Sequence, residues 1–408
     1  MKTLHRRCAG LDVHSDNVVA CARTPAKSKV NYEVCKFSTA TRDLLALADW
    51  LEERKITHVA MEATGVYWKP VWHILESRFA LVLANAAHIR NVPGRKSDVN
   101  DATWIADLLA HGLIRASFVP PAPVQELRDL TRTRRQITRE IVQHTQRIQK
   151  TLETANIKLT VVISDVTGMS GRRILKAMVG GETDANTLAD LGSTRLHCSR
   201  GELVDALTGR ITAHHRFMIG QHLDLIEELE RRVAAFDTRI GEVLGPFADA
   251  VERLSSIPGV SQHTAEVILA EIGFDMSRFP TAGHLLSWAG LVPRLDESSG
   301  KRRSTRVRKG APWLKPVLVQ CAYGAARKKN SYLQAQFYRL KARRGAKKAV
   351  IAVAASMLTA AYHMLKDGTF YDDLGAGYLV KRDASKVVAK LARRMKDLGY
   401  DVTYKAAA

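Results

Sequence analysis

Four carboxylates in the first quarter of the chain have the types and spacing for chemistry at phosphorus. Asp12 ends an apolar run in Gly10-Leu11-Asp12-Val13-His14, and Glu62 ends another in Ala60-Met61-Glu62-Ala63-Thr64-Gly65. Asp98 and Asp101 lie in Lys96-Ser97-Asp98-Val99-Asn100-Asp101-Ala102, where a spacing of three puts them on one face of a helix. Acids at strand ends and on one helical turn can converge at the rim of a sheet. Four such charges repel one another unless cations separate them. Two Mg²⁺ ions, ~4 Å apart, would satisfy them and activate an in-line attack at phosphorus. Taken singly, each acid has a plainer explanation. Asp98 suits the positive end of a helix, and Asp12 suits a turn. His14, two positions after Asp12, shares its face on a continuing strand, and a structural histidine is the simpler expectation there.

These acids need elements to hold them. Residues 8–13 and 17–22 read as strands around a short turn, 31–38 as a third, 57–62 as a fourth and 80–83 as a short apolar fifth. Helical patterns run over 44–54, 67–77 and about 98–111, the last with Ser97 placed to cap it. The alternation predicts an α/β domain over residues 1–115. With four acids in a basic chain, it points to a ribonuclease H-like nuclease or recombinase core. Val119-Pro120-Pro121-Ala122-Pro123 then breaks the pattern. Residues 116–250 read as a helical, coiled-coil middle. One heptad seam joins Leu127, Leu130, Ile137, Ile141 and Ile148, and a second joins Ile226, Leu229, Val233, Phe236, Ile240 and Val243. Such helices either form an antiparallel hairpin or dimerise the chain. Residues 251–366 read as a mainly α domain. In it Ile257-Pro258-Gly259-Val260 has the pattern of a helix-hairpin-helix turn, whose second helix offers backbone N–H groups to a phosphate. Residues 367–408 form a mixed tail with a basic helix near 381–396.

Charge locates a partner. The 408 residues hold 62 Lys and Arg against 41 Asp and Glu, a formal charge of +21. Residues 298–366 contain no acid and 17 bases, so most of the excess sits in one segment. Its densest part is Lys301-Arg302-Arg303-Ser304-Thr305-Arg306-Val307-Arg308-Lys309. A nucleic-acid backbone is the natural target, because each phosphate neutralised releases condensed counterions. Aromatic and apolar residues such as Trp313, Leu318, Tyr323 and Phe337 predict that the segment folds. A 46% hydrophobic share with 25% charged residues excludes a disordered or fibrous chain. No hydrophobic signal is expected in Met1-Lys2-Thr3-Leu4-His5-Arg6-Arg7. The apolar stretch 349–365 carries Ser356, Thr359, Tyr362 and His363, so it reads as a buried helix rather than a membrane span. Five cysteines without a CxxC read as reduced and cytosolic, not as a zinc or disulfide framework.

Several of these motifs together carry a resemblance. The segments around Asp12, Met61-Glu62-Ala63-Thr64-Gly65-Val66-Tyr67-Trp68 and Lys96 to Ala102 resemble the DEDD domain of IS110-family transposases. Ile257-Pro258-Gly259-Val260, Phe279-Pro280-Thr281-Ala282, Trp288-Ala289-Gly290-Leu291-Val292-Pro293 and Ser298-Ser299-Gly300 are similar to that family's C-terminal transposase domain. The resemblance implies a RuvC-like N-terminal domain whose metal ligands are Asp12, Glu62, Asp98 and Asp101. It implies a C-terminal domain with a nucleophilic serine, Ser299, with Ser298 as its rival. It also implies a covalent phosphoserine with DNA and an element-encoded bridge RNA that pairs with donor and target DNA. Lys301, Arg302 and Arg303 would hold the scissile phosphate, with Arg306, Arg308 and Lys309 extending the basic surface. A serine hydroxyl needs a base or metal to activate it. No base lies nearby in sequence, so a composite site is expected, with serine and metals from different domains or subunits. A homodimer assembling into a tetramer, acting at the bacterial nucleoid within the cytoplasm, completes the expectation. A metal-dependent, structure-specific endonuclease and an inert nucleic-acid-binding protein are the alternatives.

Overall fold

The computed structural model describes residues 3–26, 29–85, 89, 101–114, 116–293, 296–304, 306–308, 310–382, 384–401 and 403, with the backbone alone at 296, 298, 302, 303, 386 and 387. Contacts divide the chain into Met1–Pro120 and Pro121–Ala408.

In the first unit, β1 (Cys8–Val13), β2 (Asn17–Pro25) and β3 (Val30–Ser38) form an antiparallel meander. β4 (His58–Glu62) runs parallel to β1, and β5 (Ala80–Ala84) parallel to β4. The sheet order is β3-β2-β1-β4-β5. α1 (Thr41–Glu53) and α2 (Trp68–Leu75) belong to one face. Leu44, Leu47, Ala48 and Leu51 recur at helical spacing on α1 and pack against Ala9, Leu11, Val13, Val59 and Met61. α3 (Asp101–Ala110) covers the other face, where Ile105, Leu108 and Leu109 meet Cys8, Ala60 and Ala84. β1 and β4 are thus buried on both sides, which is why each reads as a continuous apolar run. Gly10 is the point of closest approach. A Cβ there would lie 2.2 Å from the Ala102 carbonyl oxygen and 2.4 Å from the Ala106 nitrogen. A polar clamp also ties α3 to the meander. Asp107 accepts from Arg23 Nε at 3.1 Å and from the Tyr32 hydroxyl at 2.5 Å.

The second unit is built on two long helices, α4 (Ala122–Thr154) and α9 (Ala213–Leu244). Arg239 reaches Glu126, Arg134 reaches Asp237, and His144 reaches His222. As numbers rise on one helix they fall on the other, so the pair is antiparallel. Between them come α5 (Leu159–Val162), α6 (Met169–Val179), α7 (Ala185–Asp190) and α8 (Arg200–Leu207). These pack Ile174, Leu175, Leu188 and Leu203 around Ile148, Leu152, Ile219 and Ile226, at one end of the pair.

The other end joins the C-terminal core through Leu127, Ile240 and Leu244. That core contains α10 (Ala248–Ser255), α11 (Gln262–Ile272), α12 (Ala282–Trp288), α13 (Leu314–Ala325), α14 (Tyr332–Arg344) and α15 (Ala346–Asp367). α15 is long and apolar enough to cross a membrane by composition. Here Val353, Ala354, Met357, Leu358 and Ala361 bury it in the core. The turn between α10 and α11 lies inward, with Ile257, Pro258 and Val260 buried. Ser261 Oγ accepts from the Thr264 nitrogen and so caps α11 itself. The N–H groups expected to await a phosphate there are therefore partly used within the chain. α16 (Tyr378–Arg382) and α17 (Ala384–Asp397) follow the core.

Candidate active site

The strand register places two of the expected acids side by side. β1 and β4 pair in parallel up to Leu11 beside Met61. Asp12 and Glu62 are the next residue on each strand. Continuing the register sets their Cα atoms one strand spacing, ~4.8 Å, apart. Alternation puts both on the face that α3 covers, since Gly10 and Ala60 already point that way. Asp101 opens α3, and its neighbour Ala102 lies over Gly10. The sheet and α3 thus bring Asp12, Glu62 and Asp101 to the same end of the same face. Asp98 lies outside the described residues.

Asp12 keeps 21% of its side chain exposed, and its Oδ2 lies 3.2 Å from His14 Nε2. His14 therefore touches the candidate site, although a structural histidine was the simpler expectation. The signal was its offset of two along the strand. Among the described residues, no group of three His, Cys, Asp or Glu side chains stands ready to hold a metal ion. The donor chemistry nonetheless fits Mg²⁺. Asp12 and Glu62 offer only oxygen, and one or two carboxylates with substrate phosphates and water are the usual Mg²⁺ set.

Ser299 sits in a different setting. β6 (Asp296–Ser298) and β7 (Lys301–Ser304) pair antiparallel, with Ser298 opposite Lys301. The loop is therefore Ser299-Gly300 alone. Both residues have positive φ, 51° and 71°, as a two-residue type I′ hairpin requires. Glycine adopts that geometry freely, whereas serine there costs about 1 kcal/mol. Ser299 is exposed at the tip. Ser298 is the last strand residue, and its side chain is outside the description. Lys301, Arg306 and Arg308 are exposed along the return. Of Arg302 and Arg303 only the strand backbone is described, and Lys309 lies outside the described residues.

The hairpin leaves the core through a narrow neck. Gly290 and Gly310 meet backbone to backbone; a Cβ on Gly310 would stand 2.4 Å from the Ala289 carbonyl oxygen. Lys315 Nζ donates to the carbonyls of Gly290 and Arg308, both at 3.0 Å. Burial holds the Lys315 pKa below the usual lysine value. Sequence reasoning did not single out Lys315 or the glycine pair, because their partners are distant in the chain.

Known proteins place these two regions in one class. Residues 9–157 match the transposase family defined by the DEDD domain of IS110 elements. Residues 251–339 match a second transposase family, "Transposase IS116/IS110/IS902 family". The two stretches cover more than half of the chain and follow in order. The chain belongs to the IS110 family of transposases. It is similar to the "Insertion element IS110 uncharacterized 43.6 kDa protein" of Streptomyces coelicolor, with 35% identity over 126 residues. That match spans 29% of this chain and 29% of the relative.

Proposed function

We propose that this chain is the recombinase of an insertion sequence, cutting and rejoining DNA strands through a phosphoserine at Ser299. Family membership over both units supports the reading. The observation that carries the serine assignment is its left-handed φ at an exposed hairpin tip. Strain kept at an exposed polar residue is a recurrent sign of function.

The sheet order β3-β2-β1-β4-β5 of the first unit supports a ribonuclease H-like, RuvC-like reading of its core. Asp12, Glu62, Asp98 and Asp101 would hold two Mg²⁺ ions. When bound, these would neutralise the acids and polarise phosphoryl oxygens. His14 orients Asp12 through its 3.2 Å contact. The Ser299 hydroxyl attacks phosphorus as a base takes its proton. A P–O bond to a deoxyribose oxygen breaks, and that oxygen gains a proton. A second strand's hydroxyl then attacks the phosphoserine and frees Ser299. One ester bond is exchanged for another at each step, so rejoining needs no nucleotide hydrolysis. Lys301, Arg302, Arg303, Arg306, Arg308 and Lys309 grip the phosphates around the hairpin.

An element-encoded bridge RNA selects donor and target DNA in this reading. The antiparallel α4–α9 pair is a coiled coil that serves dimer and tetramer assembly, in the bacterial cytoplasm. The test is a denaturing gel of protein with cognate donor DNA. Wild type forms a covalent protein–DNA species, while Ser299→Ala forms none and loses strand exchange by a thousandfold or more. An adduct that survives in Ser299→Ala overturns the assignment in favour of Ser298. Cleavage with no adduct in either protein favours a metal-dependent endonuclease.

A further inference from the structure

A second cationic feature of the second unit lies away from the hairpin tip. Arg132, Arg135 and Arg139 follow at spacings of three and four on one face of α4. Their guanidinium carbons lie 5.5, 5.9 and 5.7 Å from the ring centre of Trp313. Arg135 Nη1 also donates to the Trp313 carbonyl at 3.0 Å. One indole face attracts a cation, but three cations around one ring repel each other.

The compensating charge is limited. Buried Glu271 takes a two-pronged bond from Arg132, with both contacts at 2.8 Å. Arg128 is spent on the backbone carbonyls of Ala270 and Glu271. Burial first, and then the neighbouring charge of Arg139, hold the Arg135 pKa below the usual guanidinium value, with Glu271 opposing. Arg139 is exposed, and among the described residues no carboxylate pairs with it. The arrangement is preorganised, crowded and short of anions.

Position adds a second argument. Lys315, two residues beyond Trp313, bonds to the Arg308 carbonyl at 3.0 Å. A chain of contacts thus runs from α4 through Trp313 and Lys315 to the basic return of the hairpin.

We propose that Arg135 and Arg139, ordered by Trp313 beside the Glu271-paired Arg132, form a binding site for a nucleic-acid phosphodiester backbone beside the Ser299 hairpin. The site rests on the recombinase reading for its ligand class. Guanidinium forks match phosphate oxygens in pairs. A free phosphate would occupy one fork, whereas a row of forks suits the repeating anions of a polymer. Arg139 makes the outer contact, Arg135 the inner one, and Trp313 positions both.

Fluorescence anisotropy with the full-length protein tests this, using labelled duplex DNA and labelled single-stranded RNA between roughly 50 and 200 mM salt. Arg139→Ala lowers the slope of log affinity against log salt by about 0.9 on duplex, or about 0.7 on a single strand. The double variant Arg135→Ala/Arg139→Ala lowers it by about twice that. Trp313→Leu keeps the charges but weakens binding by about fivefold at low salt. Lys150→Ala, an exposed cation near the other end of α4, binds as wild type does. A slope change on one probe alone supports the site and names its nucleic acid. Wild-type protein that binds neither probe overturns the recombinase reading itself. Wild-type binding with unchanged affinity and slope in Arg139→Ala and in the double variant overturns the ridge alone. Thermal melting confirms that Arg139→Ala is folded, since that exposed side chain supports no carboxylate.

Discussion

The carboxylate rim and the serine hairpin are held in place by opposite means. Asp12 and Glu62 project from strands whose preceding residues are fully buried, under a helix that leaves no room for a Cβ at Gly10. Ser299 projects from a two-residue turn, followed by exposed Gly300 and Lys301. The rim gains precision from dense packing around it. The tip gains presentation from a backbone conformation that serine resists, held at a neck of two glycines and one lysine and by the bridge between Pro293 and Val307. Metal-directed acids need fixed spacing to within a fraction of an ångström. A nucleophile that must meet a polymer substrate needs reach.

Three substitutions break or sharpen this contrast. The largest expected effect is at Gly10. Gly10→Ala forces α3 away from β1 and destabilises the first unit by about 1–3 kcal/mol, read as a drop in urea midpoint. A neutral Gly10→Ala would mean that the rim is not set by packing. Next is the clamp on α3. Burial, and then the bond to Asp107, raise the Tyr32 pKa above the ordinary tyrosine value. The folded state therefore holds the proton more tightly than the unfolded chain. Its contribution is complete below about pH 10, the unfolded value, and is lost as pH rises through the raised folded value. Thermal melting should show an extra alkaline loss that Tyr32→Phe removes; an identical profile in that variant excludes the clamp. The smallest effect is at the tip. Ser299→Asn suits positive φ and should stabilise by about 0.5 kcal/mol while abolishing strand exchange. A loss of stability would show that the serine is not strained.

Much of the first unit was legible from sequence. Alternating apolar runs ended at Asp12 and Glu62, and a strand ends at Glu62 and one residue past Asp12. Parallel pairing of β1 with β4 was not readable, because it depends on contacts about 50 residues apart. The hairpin was harder. Lys301 to Ser304 has no apolar alternation, so nothing local marks a strand. Ser298-Ser299-Gly300 reads as an ordinary loop until the register shows a turn of only two residues. The heptad seams foretold two long helices but left hairpin and dimer open. Pairs such as Arg134 with Asp237 and His144 with His222 decide the arrangement within the chain. The arginine ridge was invisible for the same reason. Its spacing is local, but Trp313 comes from 178 residues further along than Arg135.

The glycine neck has an evolutionary consequence. A segment that departs and returns through one pinch point has a length the core does not register. Residues added at the tip would cost little more than loop-closure entropy, ~0.6 kcal/mol for each doubling. The distance the serine can reach is then nearly independent of the stability of the fold. Related chains could lengthen, shorten or exchange the hairpin to suit differently shaped substrates, while Gly290, Gly310 and Lys315 stay as they are.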